Sequence, residues 1–177
     1  MSHQMTIPGE EIAIFRISVK KIIFRISLLF SVKGGDQKMK KSDIKIFYAE
    51  DNTVKYMAVF REMRSMGYLI DKCEDNLSDA LKEVLKARDE GRPYDIIMTD
   101  MNYPLKRGGV STNEAGPMFI SRLKEEGIAS PVIEISSENY VVPEAFKCVW
   151  YEGIGNWQND LENALLEASA ICQRTNG

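Results

Sequence analysis

Short apolar segments alternate with amphipathic helical segments from residue 43 onward, and this alternation restricts the fold more than any other feature of the sequence. The apolar segments lie at residues 44–49, 68–73, 94–99, 131–135 and 148–151. The spacing of apolar residues between them predicts helices, including a short one at residues 143–147. Strands that alternate with helices form a parallel sheet with right-handed crossovers, so we predict an α/β fold with five parallel strands.

Acidic and hydroxyl side chains follow the predicted strands. Glu50 and Asp51 come after the first strand, Asp100 after the third, and Ser136 and Ser137 after the fourth. Binding sites of parallel sheets lie beyond the carboxyl ends of the strands. Three carboxylates at one edge repel each other unless a hard divalent cation lies among them, and Mg²⁺ suits such ligands. The alternative is that Glu50 and Asp51 only form a solvated helix N-terminus, favoured by the helix dipole.

The motifs together resemble the response-regulator receiver domains over about residues 43–172. The combination consists of the acid pair Glu50-Asp51, the Asp-x-Asn-x-Pro motif that starts at Asp100, and a hydroxyl at Ser136 after Pro-Val-Ile-Glu-Ile. The resemblance implies a doubly wound, flavodoxin-like sheet of strand order 2-1-3-4-5 with helices on both faces.

The same resemblance implies a role for each site residue. Asp100 corresponds to the phosphoryl acceptor, and Ser136 to the switch hydroxyl that contacts a phosphoryl oxygen. Asp51 corresponds to a direct Mg²⁺ ligand, Glu50 to a ligand through water, and Asn102 to a ligand through its backbone carbonyl. A sensor histidine kinase or phosphotransfer protein would supply the phosphoryl group, and an unknown downstream protein would read the signal by contact, in the cytoplasm of a bacterium.

One family feature is missing. Typical receivers end the fifth strand with Lys-Pro, whereas residues 149–157 contain no lysine. Lys106 or Arg107, in a long loop, could supply the cation instead, although solvated loop charges are the favoured interpretation. Trp150 or Tyr151 is either an aromatic switch residue or part of the core. A pseudo-receiver, an interaction module that phosphorylation does not regulate, therefore stays open as the alternative function.

Composition and spacing argue against other functions. The net charge of −3 and the lack of a clustered basic face argue against nucleic-acid binding. The single histidine, His3, lies near the terminus, which argues against a Ser-His or Cys-His enzyme. Asn102 stands where aspartyl phosphatases need a second acid, so we expect no enzyme beyond self-catalysed phosphorylation and dephosphorylation at Asp100. The wide spacing of the three cysteines favours reduced thiols in the cytoplasm.

Residues 1–38 differ from the rest of the chain. Arg16, Lys20, Lys21 and Arg25 interrupt the apolar stretch at residues 12–32, so we expect no membrane span there. Residues 33–37 can be encoded by AAA GGA GGT GAT CAA, which would make a strong bacterial ribosome-binding site just upstream of Met39. We predict that residues 1–38 are an N-terminal extension that is not native or is poorly ordered, and that residues 39–177 are the receiver domain. The alternative is a native N-terminal strand or arm.

Overall fold

The computed structural model describes residues 40–152 and 155–175. The predicted extension at residues 1–38 lies outside the described residues. The strands are β1 (Ile46–Ala49), β2 (Lys72–Glu74), β3 (Ile96–Thr99), β4 (Tyr103–Pro104), β5 (Ser111–Thr112), β6 (Val132–Ser136) and β7 (Lys147–Trp150). The helices are α1 (Thr53–Ser65), α2 (Leu77–Asp89), α3 (Ala115–Glu125) and α4 (Trp157–Thr175), and a 3₁₀ helix covers Lys41–Asp43.

Five strands form one parallel sheet in the order β2-β1-β3-β6-β7. When the five sheet strands are counted alone, this is the predicted order 2-1-3-4-5, which is therefore confirmed. The strands β4 and β5 form a separate antiparallel hairpin in the loop that follows β3. This arrangement brings the carboxyl ends of β1, β3 and β6 side by side.

Both faces of the sheet are covered by apolar helix faces. On one face, Val59 and Met63 of α1 and Leu161 and Leu165 of α4 are buried against the strands. On the other face, residues of α2 and α3 are buried, including Val84 and Phe119. The central strands β1, β3 and β6 are buried along their whole length, as expected for a parallel sheet between two helical layers.

Two connections differ from the sequence prediction. Residues 143–146 form turns and bends and not a short helix. The backbone N–H of Phe146 already donates to the carbonyl oxygen of Val132 at 2.8 Å, so the chain enters the sheet here and leaves no length for a helix. The β4–β5 hairpin lies in a segment expected to be a loop, because two-residue strands give no periodic signal.

The start of α1 is fixed by Asn52. Its side-chain oxygen accepts hydrogen bonds from the backbone N–H groups of Val54 and Lys55, at 3.0 and 3.2 Å. This cap sets the rotation of α1, which places Lys55 on the same buried stripe as Val59 and Met63. No helix among residues 40–152 and 155–175 is long and apolar enough to cross a lipid bilayer.

Candidate functional site

A polar pocket of about 440 Å³ lies at the carboxyl ends of the central strands. Its walls come from the β1–α1 turn, the end of β3, the hairpin and the end of β6. The lining residues are Asp51, Asn52, Lys55, Asp100, Met101, Asn102, Ser111, Ser136, Ser137 and Glu138. The pocket therefore collects the side chains that the sequence placed after separate strands, except Glu50, which is not among the lining residues.

Three carboxylates meet at this pocket. Each of Glu50, Asp51 and Asp100 contributes one carboxylate oxygen, and these three oxygens lie within 4.8 Å of one another. Glu50 and Asp100 are buried, whereas Asp51 lies toward solvent and accepts a 2.8 Å hydrogen bond from the hydroxyl of Ser111. The donor set is made of hard oxygen atoms, which is the chemistry that Mg²⁺ prefers.

Glu50 is held by internal donors. The hydroxyl of Tyr48 donates to its Oε2 at 2.8 Å, and the backbone N–H of Asn52 donates to its Oε1 at 2.9 Å. Burial raises the pKa of Glu50 above its ordinary value, against the opposing effect of the Lys55 ammonium. The side chain is thus fixed in orientation before any ligand arrives.

Lys55 supplies a buried cation that the sequence prediction did not identify. Its Nζ lies 2.6 Å from Oδ1 of Asp100, 2.6 Å from the carbonyl oxygen of Ile135 and 3.3 Å from Oε2 of Glu50. The lysine side chain is only 4% exposed, and its Nζ lies 5.6 Å from the centre of the Tyr151 ring. The sequence did carry a signal, since a lysine four residues before Val59 falls on the apolar stripe of the helix.

The hydroxyl and amide candidates also line the pocket. Ser136 is buried at the end of β6, and its Oγ accepts a 3.0 Å hydrogen bond from the backbone N–H of Glu138. Asn102 is exposed and lies in the pocket wall two residues after Asp100. The structure therefore brings together Glu50, Asp51, Asp100, Asn102 and Ser136.

Several solved structures share this architecture. A DNA-binding response regulator of the LuxR family from Staphylococcus aureus matches with a TM-score of 0.55 and 16% identity, over 71% of this chain and 98% of that one. The signal receiver domain of a modulated diguanylate cyclase from Desulfovibrio desulfuricans G20 matches with a TM-score of 0.55 and 18% identity, over 74% and 97%. The signal receiver domain of an HD domain-containing protein from Pseudomonas fluorescens Pf-5 matches with a TM-score of 0.53 and 12% identity, over 73% and 97%. The chain has the receiver-domain fold.

One curated relative matches part of the chain. A stretch of 112 residues is 30% identical to Histidine protein kinase 1 of Candida albicans. The match covers 62% of this chain and 4% of the length of that relative. No protein-family model matches the chain.

The two loop cations, Lys106 and Arg107, lie on the exposed surface. Arg107 donates to Oδ2 of Asp79 at 3.1 Å, on an exposed surface. Lys106 is exposed and is not among the described residues that line the pocket. The geometry thus agrees with the interpretation of both side chains as solvated loop charges.

The two aromatic candidates occupy different places. Tyr151 is buried and packs against Trp157, with ring centres 4.9 Å apart. Trp150 is half-buried, and its indole N–H donates to the carbonyl oxygen of Ser137 at 3.2 Å. Tyr151 is therefore a core residue beside Lys55, and Trp150 contacts the segment that follows Ser136.

Gly116 is a further residue of the site that sequence reasoning missed. Its backbone N–H donates to the carbonyl oxygen of Met101 at 3.0 Å. A Cβ at this position would lie 2.4 Å from the carbonyl oxygen of Asp100 and 2.8 Å from the Cα of Met101. The start of α3 therefore packs directly on the backbone that carries Asp100, and the only sequence signal was a glycine inside a predicted helix.

Proposed function

We propose that this chain is a receiver of two-component signalling in which Asp100 accepts a phosphoryl group. The observation that carries the proposal is the position of Asp100. Its carboxylate is buried at the base of an open polar pocket, among two further carboxylates and one ammonium. Such an arrangement holds a nucleophilic oxygen in a fixed orientation and compensates the charge of an incoming phosphoryl group.

The residues present fit a Mg²⁺ ion. The formal charges of the three carboxylates and the Lys55 ammonium sum to about −2, which one divalent cation balances. Glu50, Asp51 and Asp100 would hold the ion, together with the backbone carbonyl of Asn102. When bound, Mg²⁺ neutralises negative charge on the transferred group.

The transfer is a displacement at phosphorus. A carboxylate oxygen of Asp100 forms the new bond to phosphorus, and the bond from phosphorus to the donor breaks. With an acyl phosphate donor, the leaving carboxylate takes the electron pair and no proton moves. With a phosphohistidine donor, the ring nitrogen takes the pair. Because the protein supplies position and charge and no other reactant, the chain acts as a signalling module with at most self-catalysed turnover at Asp100.

The partners follow from the same chemistry. We propose a histidine kinase or phosphotransfer protein as donor, and the curated relative is itself a histidine protein kinase. The exchange belongs to the cytoplasm, where the ATP that supplies such phosphoryl groups is found. Ser136, at the pocket wall, is the hydroxyl proposed to contact the phosphoryl oxygen, and a downstream protein of unknown identity reads the change.

The test is intact mass after treatment with acetyl phosphate and Mg²⁺. We expect a gain of one phosphoryl group in the wild-type chain and no gain in Asp100→Asn. The matched control is Asp89→Asn, which removes an exposed carboxylate at the end of α2 and should leave the modification intact. Modification that persists in Asp100→Asn would show that another residue is the acceptor. A wild-type chain that acetyl phosphate leaves unmodified would favour the pseudo-receiver.

A further inference from the structure

The buried ammonium of Lys55 on α1 has defined partners. Lys55 is the one ionisable side chain among the buried residues of α1, beside Val59 and Met63. A buried ammonium is costly unless it is paired and hydrogen-bonded. Lys55 meets this condition through Asp100, Glu50 and the carbonyl oxygen of Ile135, all within 3.3 Å. The stabilising partners of this lysine are therefore Asp100, Glu50 and the backbone near the end of strand β6.

The contact between Lys55 and Asp100 leaves one carboxylate oxygen of Asp100 available to react. Oδ1 accepts the 2.6 Å hydrogen bond from Lys55, and the side chain of Asp100 is 10% exposed at the pocket. Because Oδ1 is engaged by the ammonium, Oδ2 is the oxygen that can form the bond to phosphorus. After transfer, Oδ1 belongs to an acyl group without a full negative charge, while the new phosphoryl group carries close to two negative charges.

We propose that Lys55 binds the transferred phosphoryl group and connects it to α1 and to the end of β6. This inference rests on the proposed function, since it concerns the phosphorylated state of Asp100. The ammonium has three donors, and one of them loses its charged acceptor when Oδ1 becomes an acyl oxygen. A phosphoryl oxygen replaces that acceptor, while the remaining donors keep Ile135 and Glu50. In the family that the sequence resembles, this work falls to a lysine of the fifth strand.

Such a contact would report phosphorylation to two elements at once. A ligand shifts a conformational equilibrium only through contacts that differ between the states. Lys55 makes its contacts from the first turn of α1, and its bond to Ile135 reaches the residue directly before Ser136. Trp150 donates to Ser137, and Trp157 packs on Tyr151 next to the ammonium, so tryptophan fluorescence monitors both sides of Lys55.

The experiment compares Lys55→Met with wild type in the presence of Mg²⁺ and acetyl phosphate. Methionine keeps an unbranched chain of similar length and removes the charge. We expect Asp100 in Lys55→Met to be phosphorylated at least about tenfold more slowly than in wild type, because a charge-assisted hydrogen bond to the reacting group is lost. At equal phosphoryl occupancy, measured by intact mass, the fluorescence change seen in wild type should be absent. Lys55→Arg, which keeps the charge, should restore part of both.

The matched control is Arg61→Met, which removes a cation from the exposed side of the same helix and should match wild type. If wild type is modified and Lys55→Met shows the same rate and the same fluorescence change, the inference on Lys55 is overturned and the proposed function stands. If wild type is not modified at all, both fail.

A second measurement is made on the phosphorylated wild-type protein. In ¹⁵N-labelled wild-type protein, the side-chain Nζ resonance of Lys55, assigned with Lys55→Arg, should shift on phosphorylation, whereas that of the exposed Lys45 should not. An unchanged Lys55 resonance in phosphorylated protein overturns the inference.

Discussion

Gly116→Ala tests how closely the Asp100 backbone and helix α3 are packed. The added Cβ would approach the carbonyl oxygen of Asp100 to 2.4 Å and the Cα of Met101 to 2.8 Å. Both neighbours are backbone atoms, so no side chain can rotate away. An ordinary contact requires about 3.4 Å, and relief therefore requires a displacement of about 1 Å between α3 and the Asp100 backbone.

Two energies oppose each other in this variant. Overpacking a well-packed site costs about 1–3 kcal/mol. The higher helix propensity of alanine stabilises the helix by at most about 1 kcal/mol relative to glycine. We expect Gly116→Ala to lose about 1–2 kcal/mol of unfolding free energy, measured by urea denaturation. Gly155→Ala, where a Cβ would meet no atom within 4 Å, should change stability by less than about 1 kcal/mol.

The displacement should also slow the chemistry. A shift of about 1 Å in a reacting group can lower a rate by about a hundredfold. Under acetyl phosphate and Mg²⁺, the intact-mass time course of Gly116→Ala should therefore lag far behind wild type, while Gly155→Ala keeps pace. A Gly116→Ala protein that is as stable as wild type and modified at the same rate would refute this account of the packing.

Two further perturbations test the charges around the sheet. Millimolar Mg²⁺ should raise the melting temperature of the wild-type chain by linkage, and Asp51→Asn should abolish that rise, as followed by circular dichroism; an equal rise in both would exclude Asp51 as a ligand. Glu134 is fully buried, its Oε1 has no partner among the described residues, and burial raises its pKa from the ordinary value of 4.5. A raised folded-state pKa contributes stability that is present below about pH 4.5 and is lost as pH rises through the folded pKa. The unfolding free energy of Glu134→Gln relative to wild type, measured by urea denaturation, should therefore increase as pH rises. The exposed Glu144→Gln should show no such trend, and a Glu134→Gln advantage independent of pH would contradict the assignment.

The fold was predictable because the central strands are short apolar runs next to helices with a clear stripe. The edge strand β2 is the exception: its residues, Lys72–Glu74, are largely polar, and it begins four residues later than the apolar segment at residues 68–73 predicts. Strands such as β1 and β3 are buried on both faces, so they have a continuous apolar sequence and not an alternating one. The weak elements were those in which tertiary contacts decide the conformation. The β4–β5 hairpin has two residues per strand, and the turn near Ala145 is fixed by a 3.0 Å bond to the carbonyl oxygen of Val142.

The carboxylates of the site were also predictable, because strand ends in a parallel sheet share one edge. Lys55 was not, because helical periodicity treats a single charge on an apolar stripe as an interruption. Its significance depends on Asp100, which is 45 residues away in sequence and 2.6 Å away in space. Gly116 was not predicted for a similar reason, since the backbone that excludes a Cβ there belongs to Asp100 and Met101, just after β3.

The position of Lys55 on α1 affects how related chains can be found by sequence. Among the described residues, those that line the pocket include none from β7, whose Trp150 contacts the pocket only through its hydrogen bond to the backbone of Ser137. A search pattern that demands a lysine at the end of the last strand rejects this sequence. A pattern with Glu-Asp followed four residues later by Lys, and then Asp-x-Asn-x-Pro, accepts it. Chains that satisfy the second pattern and fail the first would show whether a lysine at this position of α1 goes together with the absence of a lysine from the last strand.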